Sequence, residues 1–440
     1  MRIDPWAPEQ EMTYEEMMRE FGLEAFSLEE FPLPDPIPLF RRGVVFSHRG
    51  FETIYKAIEE GQEFKILTGL MPTGSMHLGH KMVIDEVIYF QSLGAKVFIA
   101  VADIEAFGAR GVELAEARER AINHYIVNYI ALGLKPERCE IYFQSNRKEV
   151  TDLAFIAAKK VNLSTMRAIY GFEESTNMTH LFAPLIQVGD ILHVQLEEFG
   201  GPAPTLVPVG IDQDPHLRLT RDIASSLRKF SVKLTSDGKI GVFLKGNHSL
   251  GGVKSILNKV KRKIEKMGYA DFKMIPKYSA LYVLGAVESE ILEMEEALLS
   301  LDMELGGYGF YMPSSTYHKF VSGLNKQKMS SSVPESAIFL NDSPEEAKKK
   351  IMKAFTGGRV SVEEQRKLGG EPERCTVFEM NLIHFVEDDK ELEEIFSECK
   401  EGKLLCGQCK KCTGERAARF LKRLAEKRKE AKEKIGDYIK

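Results

Sequence analysis

A chain of 440 residues is long enough for about three structural units, which excludes a small stapled module. With 43% apolar and 28% charged residues and a net charge of −5, its composition is ordinary for a globular protein and excludes wholesale disorder. No stretch approaches the roughly 18 uninterrupted apolar residues of a membrane span, and the acidic opening (Asp4, Glu9, Glu11) is unlike a signal peptide; a cytoplasmic protein without membrane attachment is expected.

Residues 1–63 read as an N-terminal extension, with an acidic helix from Tyr14 to Phe26 and a connector, Phe31 to Pro38, whose prolines bar a regular element. From Phe64 onward, short apolar runs at 64–68, 96–101 and 140–144 alternate with segments of helical period such as 113–132. That alternation predicts βαβ units and a parallel sheet over 64–230. Two later runs, Leu206–Val209 and Ile338–Leu340, are predicted to return to the sheet. Between them, 231–313 reads as an inserted module: strand 239–245, helix 250–266, strands 271–278 and 280–286, helix 289–301, strand 309–312. This β-α-β-β-α-β order is the ferredoxin-like signature. Residues 314–343 rejoin the main unit, and 344–440 form a helical domain with a charged final helix.

Three segments carry chemistry. The stretch Thr68 to His80 is a predicted strand, a Pro/Gly turn (Thr73, Gly74, Ser75) and the opening of a helix with His77, Gly79 and His80. Glycine lets backbone approach a phosphate, and a helix N-terminus offers unpaired N–H groups to an anion. Two imidazoles three residues apart share a helix face and suit a phosphate's developing charge, although satisfied surface histidines would give the same pattern. Lys328, Met329, Ser330, Ser331 and Ser332 form a polar loop that could close over a triphosphate or lie solvated. Gly210, Asp212 and Gln213 follow a strand's carboxyl end, where a ribose would sit, or merely cap the next helix.

Taken in order, the His-x-Gly-His, Gly-x-Asp-Gln and Lys-Met-Ser-Ser-Ser elements resemble the class I aminoacyl-tRNA synthetases. Together with Ala183–Asp190, Phe46–Arg49 and Asp4-Pro5-Trp6, the run Gly210–His216 is similar to tryptophanyl-tRNA synthetases of the archaeal and eukaryotic type. The resemblance implies a Rossmann-type catalytic domain, an all-α anticodon-binding domain at 344–440, ATP and Mg²⁺ as cofactors, and L-tryptophan and tRNA(Trp) as partners of a homodimer. It also implies roles: His77, His80 and Lys328 stabilise the adenylation transition state, and Thr73, Gly74, Ser75, Gly79, Gly210, Asp212, Met329, Ser330 and Ser331 help hold ATP. Gln187, Asp190 and Gln213 match tryptophan-binding positions. Leu67 and Ile99 depart from a frequent tyrosine and a eukaryotic glutamine, which leaves the indole's partner open between Gln187 and Asp190. Tyrosyl-tRNA synthetase shares the signatures, but its substrate-reading tyrosines fall here on Leu67 and Ala183. A non-catalytic RNA-binding paralogue is the alternative of another class.

Five of the six cysteines follow residue 374. Cys375, Cys399, Cys406 and Cys409 have spacings that let four thiolates converge on one metal, and free thiols in a reducing compartment are the plain alternative. Some members of the resembled family carry a [4Fe–4S] cluster on a similar quartet; Zn²⁺ is the other candidate. Residues 410–440 hold 12 Lys/Arg against 5 Asp/Glu, a charge pattern suited to a phosphate backbone or to a solvated helix.

Overall fold

The computed structural model describes residues 13–440 apart from Lys328 and Ser332, so Asp4-Pro5-Trp6 and Lys328 lie outside the described residues. Strands β1 (Glu24–Ala25), β2 (Val45–Arg49), β3 (Lys65–Leu70), β4 (Lys96–Val101), β5 (Cys139–Phe143) and β6 (Thr205–Gly210) come first. The chain then builds a separate sheet from β7 (Phe230–Leu234), β8 (Ile240–Leu244), β9 (Phe272–Ile275) and β10 (Ala280–Val283), and returns as β11 (Ser314–His318).

The main sheet runs β1-β2-β11-β6-β3-β4-β5. From β11 to β5 its pairs are parallel, and β2 and β1 extend it antiparallel at one edge. Among the five parallel strands the chain order across the sheet is third, second, first, fourth, fifth, the doubly wound arrangement. Both faces are covered, which is why β4 reads as an unbroken apolar run. Val97, Ile99 and Val101 pack with Phe51, Phe90 and Tyr125 on one face, while Phe98 and Ala100 pack with Tyr142, Ile186 and Leu192 on the other. The segment expected as an extension thus supplies two strands of this sheet.

Two expectations are corrected. Ile338–Leu340 is loop: Ile338 and Leu340 are buried in the main core, and Phe339 forms an isolated bridge to His77. The returning strand is Ser314–His318, whose polar side chains hid it: Ser315 donates to Tyr317 at 2.8 Å, Tyr317 donates to Asp214 at 2.6 Å, and Thr316 donates to Glu86. In the inserted module no strand forms at 309–312, and the ferredoxin-like order is not found. The sheet is β7-β8-β10-β9, all antiparallel, so the edge beside β8 is taken by the preceding segment Phe230–Leu234. A tight hairpin wins that edge, because Thr235 accepts the Lys239 N–H and donates to the Asp237 carboxylate. Residue 309 is held elsewhere: Asp302 accepts its N–H at 2.9 Å.

The C-terminal region is helical, and its final helix Cys406–Glu433 lies against the helices Pro344–Lys353 and Val127–Leu132. Beyond it the tail pairs with the exposed edge of β5: Ile141 donates to Tyr438 at 2.8 Å, and Lys440 donates back to Ile141 at 3.0 Å. No described helix is long and apolar enough to cross a membrane.

Candidate active site

In a doubly wound sheet the crevice opens at the carboxyl ends of the two strands from which the chain departs in opposite directions, here β3 and β6. A cavity of about 520 Å³ lies there and is lined by residues from all three sequence signatures.

Strand β3 ends at Leu70, and the turn that follows leads into the helix Leu78–Ser92 with His77 as its N-cap. The His77 N–H donates to His80 Nδ1 at 3.2 Å, and the two rings lie 3.8 Å apart at 30°. Burial lowers the His80 pKa to about 4, so the ring is neutral at pH 7; with Nδ1 accepting, its proton is assigned to Nε2. A side chain at Gly79 would begin 3.1 Å from the His77 ring. Behind the turn, a π-helical stretch, Ala121–Ile126, places His124 Nδ1 3.1 Å from Ser75 Oγ and 3.1 Å from Asn341 Nδ2.

The segment Met329–Ser331 is packed down on this turn. Met329 is buried, Ser331 Oγ donates to the Ser75 carbonyl at 3.2 Å, and Ser330 N–H donates to Ser336 Oγ at 3.4 Å. A Cβ on Gly74 would stand 2.7 Å from that of Ser331, so any other residue there lifts the loop. Thr73 is exposed at the rim, with its carbonyl accepting from Arg120 at 3.3 Å. Across the crevice, Gly210 ends β6, and a Cβ on it would meet Asp212 Oδ1 at 2.5 Å; Gln213 Nε2 donates to Asp212 Oδ2 at 3.3 Å. Just below, Asp214 is wholly buried; its Oδ1 accepts from Arg49 at 2.9 Å and from Tyr317 at 2.6 Å, and its Oδ2 forms an ion pair with Arg218 at 2.9 Å, which ties the Phe46–Arg49 segment to the site.

The cavity floor is a network of buried acids and amides. Gln187 Nε2 donates to Glu105 Oε2 at 2.7 Å; Gln144 Nε2 donates to Glu105 Oε1 at 2.8 Å and to Asp190 Oδ2 at 2.6 Å; Tyr142 donates to Asp190 Oδ1 at 2.7 Å. Burial, reinforced by Glu105, raises the Asp190 pKa to about 8, and burial raises that of Glu105. Two carboxyls sharing one amide in an apolar setting will draw in a cation or hydrogen-bond donors. Gln187, Asp190 and Gln213 therefore do meet in one cavity, but Glu105, Gln144 and Tyr142 were missed in the sequence. Their available signal was position, since Tyr142 and Gln144 sit at the end of β5 and Glu105 just past β4.

The cysteines form a second locus in the helical region, away from the cavity lining. Cys375 precedes the helix Thr376–Met380, Cys399 closes the helix Asp389–Lys400, and Cys406 and Cys409 lie in the first turns of Cys406–Glu433. Burial pushes the Cys399 thiol up to about 11, with Cys375 and Cys406 adding repulsion, and the Cys409 thiol up to about 12, with Cys375, Cys399 and Cys406 adding repulsion. Cys412 is exposed, and all described cysteines are free.

The family model of tRNA synthetases class I (W and Y) matches residues 59–281 and 289–422. The chain is 46% identical to a tryptophan–tRNA ligase of Thermoplasma volcanium, covering 99% of each chain, and 44% identical to one of Archaeoglobus fulgidus, covering 97% of each. The crystal structure of tryptophanyl-tRNA synthetase from Aeropyrum pernix matches with a TM-score of 0.74 at 37% identity, covering 99% of both chains. With these matches running end to end through the cavity and all its signatures, the chain belongs to the tryptophan–tRNA ligases of the class I (W and Y) tRNA synthetase family.

Proposed function

We propose that the chain joins L-tryptophan to tRNA(Trp) in two steps, forming tryptophanyl-adenylate from ATP and Mg²⁺ and then passing the tryptophanyl group to the tRNA. The observation that carries this reading is the convergence of the His77/His80 turn, the Gly210–Gln213 turn and the Met329–Ser331 loop above the Glu105–Asp190 floor. The tryptophan carboxylate attacks the α-phosphorus, the bond to the β-phosphate breaks, and pyrophosphate leaves; Mg²⁺, expected for the class, would offset charge on the phosphates. No general base is needed, because the nucleophile is already ionised, so catalysis is positioning and charge stabilisation. His77 and His80 face the phosphates, with the neutral His80 offering Nε2–H; Lys328, from the closing loop, follows the charge onto pyrophosphate. A terminal tRNA ribose hydroxyl then attacks the adenylate carbonyl and AMP departs. Tryptophan brings an ammonium and an indole N–H as donors, and Glu105 and Asp190 are the acceptors, with Gln187 and Gln144 fixing their oxygens.

The helical domain 344–440 binds the anticodon stem with its basic final helix, the protein acts as a homodimer, and it works in the cytoplasm. The cysteine quartet fits a [4Fe–4S] cluster. Cys375, Cys399 and Cys406 lie close enough to Cys409 to act on its thiol, as ligands of one shared group would, and zinc on the same four cysteines is the alternative. When bound, the cluster ties four chain segments together; adenylation does not use it.

The test is amino-acid-dependent ATP–pyrophosphate exchange with tryptophan and tyrosine in parallel. Exchange with tryptophan alone supports the reading. Exchange with tyrosine contradicts the substrate assignment, and none with either points to a non-catalytic paralogue.

A further inference from the structure

Beside the cysteine quartet lies a buried polar group with nothing to do. Gln365, on the helix Val362–Leu368, is 4% exposed. Its carboxamide is held by one end: Oε1 accepts the Arg359 N–H at 2.8 Å. The other end, Nε2, is buried and has no hydrogen-bond partner among the described residues. A buried amide left that way is costly, so a partner is to be sought.

Two glycines show where that partner lies. A Cβ on Gly370 would stand 2.7 Å from Gln365 Nε2 and 2.8 Å from Cys399 Sγ; one on Gly358 would stand 2.5 Å from Cys406 Sγ and 3.5 Å from Gln365 Oε1. The amide and two of the four sulfurs therefore border the same pair of side-chain-free notches. The backbone holds these notches in place: Gly370 N–H donates to the Cys399 carbonyl at 2.8 Å and Glu371 N–H to the Gly357 carbonyl at 2.7 Å. An unpartnered donor and two sulfurs thus pack directly against glycines where any side chain would collide with them.

We propose that Gln365 is a positioning residue for the [4Fe–4S] cluster, its Nε2–H donating a hydrogen bond to a sulfur of the Cys399 side of the cluster while Gly358 and Gly370 let the amide and the Cys406 and Cys399 sulfurs approach their backbone. The inference rests on the cluster reading above. A hydrogen bond to a cluster sulfur stabilises the more negative, reduced state and so raises the reduction potential.

The test uses the full-length protein produced and purified without oxygen. Iron and acid-labile sulfide are counted per chain first. The midpoint potential is then measured for wild type, Gln365→Leu and Gln365→Glu, and pulsed EPR is recorded on the reduced wild-type protein with ¹⁵N-labelled glutamine side chains. We expect four irons in the wild type, a lower potential in both variants with tryptophan-dependent exchange unchanged, and a nitrogen coupling in the wild type that Gln365→Leu removes. A loaded cluster with the same potential in all three proteins overturns the role of Gln365 and leaves the cluster intact as a finding. Zinc without sulfide in the wild type overturns the cluster reading and this one with it. Where a variant fails to load, the wild-type spectrum decides: absence of the glutamine coupling overturns the proposal.

Discussion

The cavity floor and the cysteine region both bury polar groups, and they are unbalanced in opposite directions. On the floor, carboxyls outnumber the charge that would neutralise them, and Asp190 and Glu105 are held above the usual carboxylate range. Around the cysteines, a donor, Gln365 Nε2, lacks an acceptor among the described residues. The floor suits a cation and hydrogen-bond donors, and the proposed cluster would give the other region its acceptor. A buried imbalance costs stability, and its sign names the chemistry that relieves it.

The largest effect should come from the groups facing the transferring phosphoryl group. His77→Ala, His80→Ala and Lys328→Ala should each lower the exchange rate by about 10²–10³, or about 2.7–4 kcal/mol, with thermal unfolding unchanged. A loss of less than about threefold would mean that these groups do not meet the transition state.

Next in size is the floor. Glu105→Gln removes a charge but keeps the shape, and should weaken tryptophan binding by about 1.5–3 kcal/mol, as for a hydrogen bond to a charged group, while ATP binding holds. Equilibrium dialysis with each ligand separates the two. Equal losses for both would deny the floor its role in holding the amino acid.

The cysteine region supplies the contrast. Cys409→Ser should lower the thermal midpoint by about one to two degrees, on the scale of about 1–2 kcal/mol in a chain of this size, while tryptophan-dependent exchange stays within about twofold. Exchange that collapses with the cluster would erase the separation between the two regions.

A separate effect is on pH-dependent stability. Because Asp190 titrates at about 8 in the folded chain and near 3.9 unfolded, the folded state holds the extra proton between those values. Its contribution is fully present below the unfolded value and is lost as pH rises toward about 8. Asp190→Asn should flatten the fall in unfolding midpoint between about pH 5 and 8 relative to wild type. Parallel curves would place the proton on another group.

How legible each region was follows from the same physics. The crevice was readable because glycines and histidines at a strand's carboxyl end have few structural substitutes, and the parallel strands were readable because both faces are apolar. Strand β11 was not, since Ser314, Ser315 and Thr316 are polar and find their partners only in the folded chain. Ile338–Leu340 misled for the converse reason, being apolar and buried but serving as loop against His77. Glu105 and Gln144 belong to no linear motif; their meeting depends on β4 and β5 being neighbours. In the insert, hydropathy located the helices and three of the strands, but the fourth was decided by a hairpin closing sooner than a distant segment could compete. Cysteine spacing pointed to the quartet, whereas Gln365 carries no signal until its burial is seen.

On the proposed function, the floor's surplus of buried acid is met by the ammonium that tryptophan brings. Calorimetry of tryptophan binding at pH 7, repeated in buffers of different ionisation enthalpy, tests it directly. An ammonium placed beside Glu105 and Asp190 lowers their pKa values, so binding should release a fraction of a proton, less so above about pH 9 and in Asp190→Asn. Proton uptake, or no proton change in any buffer, would contradict the claim.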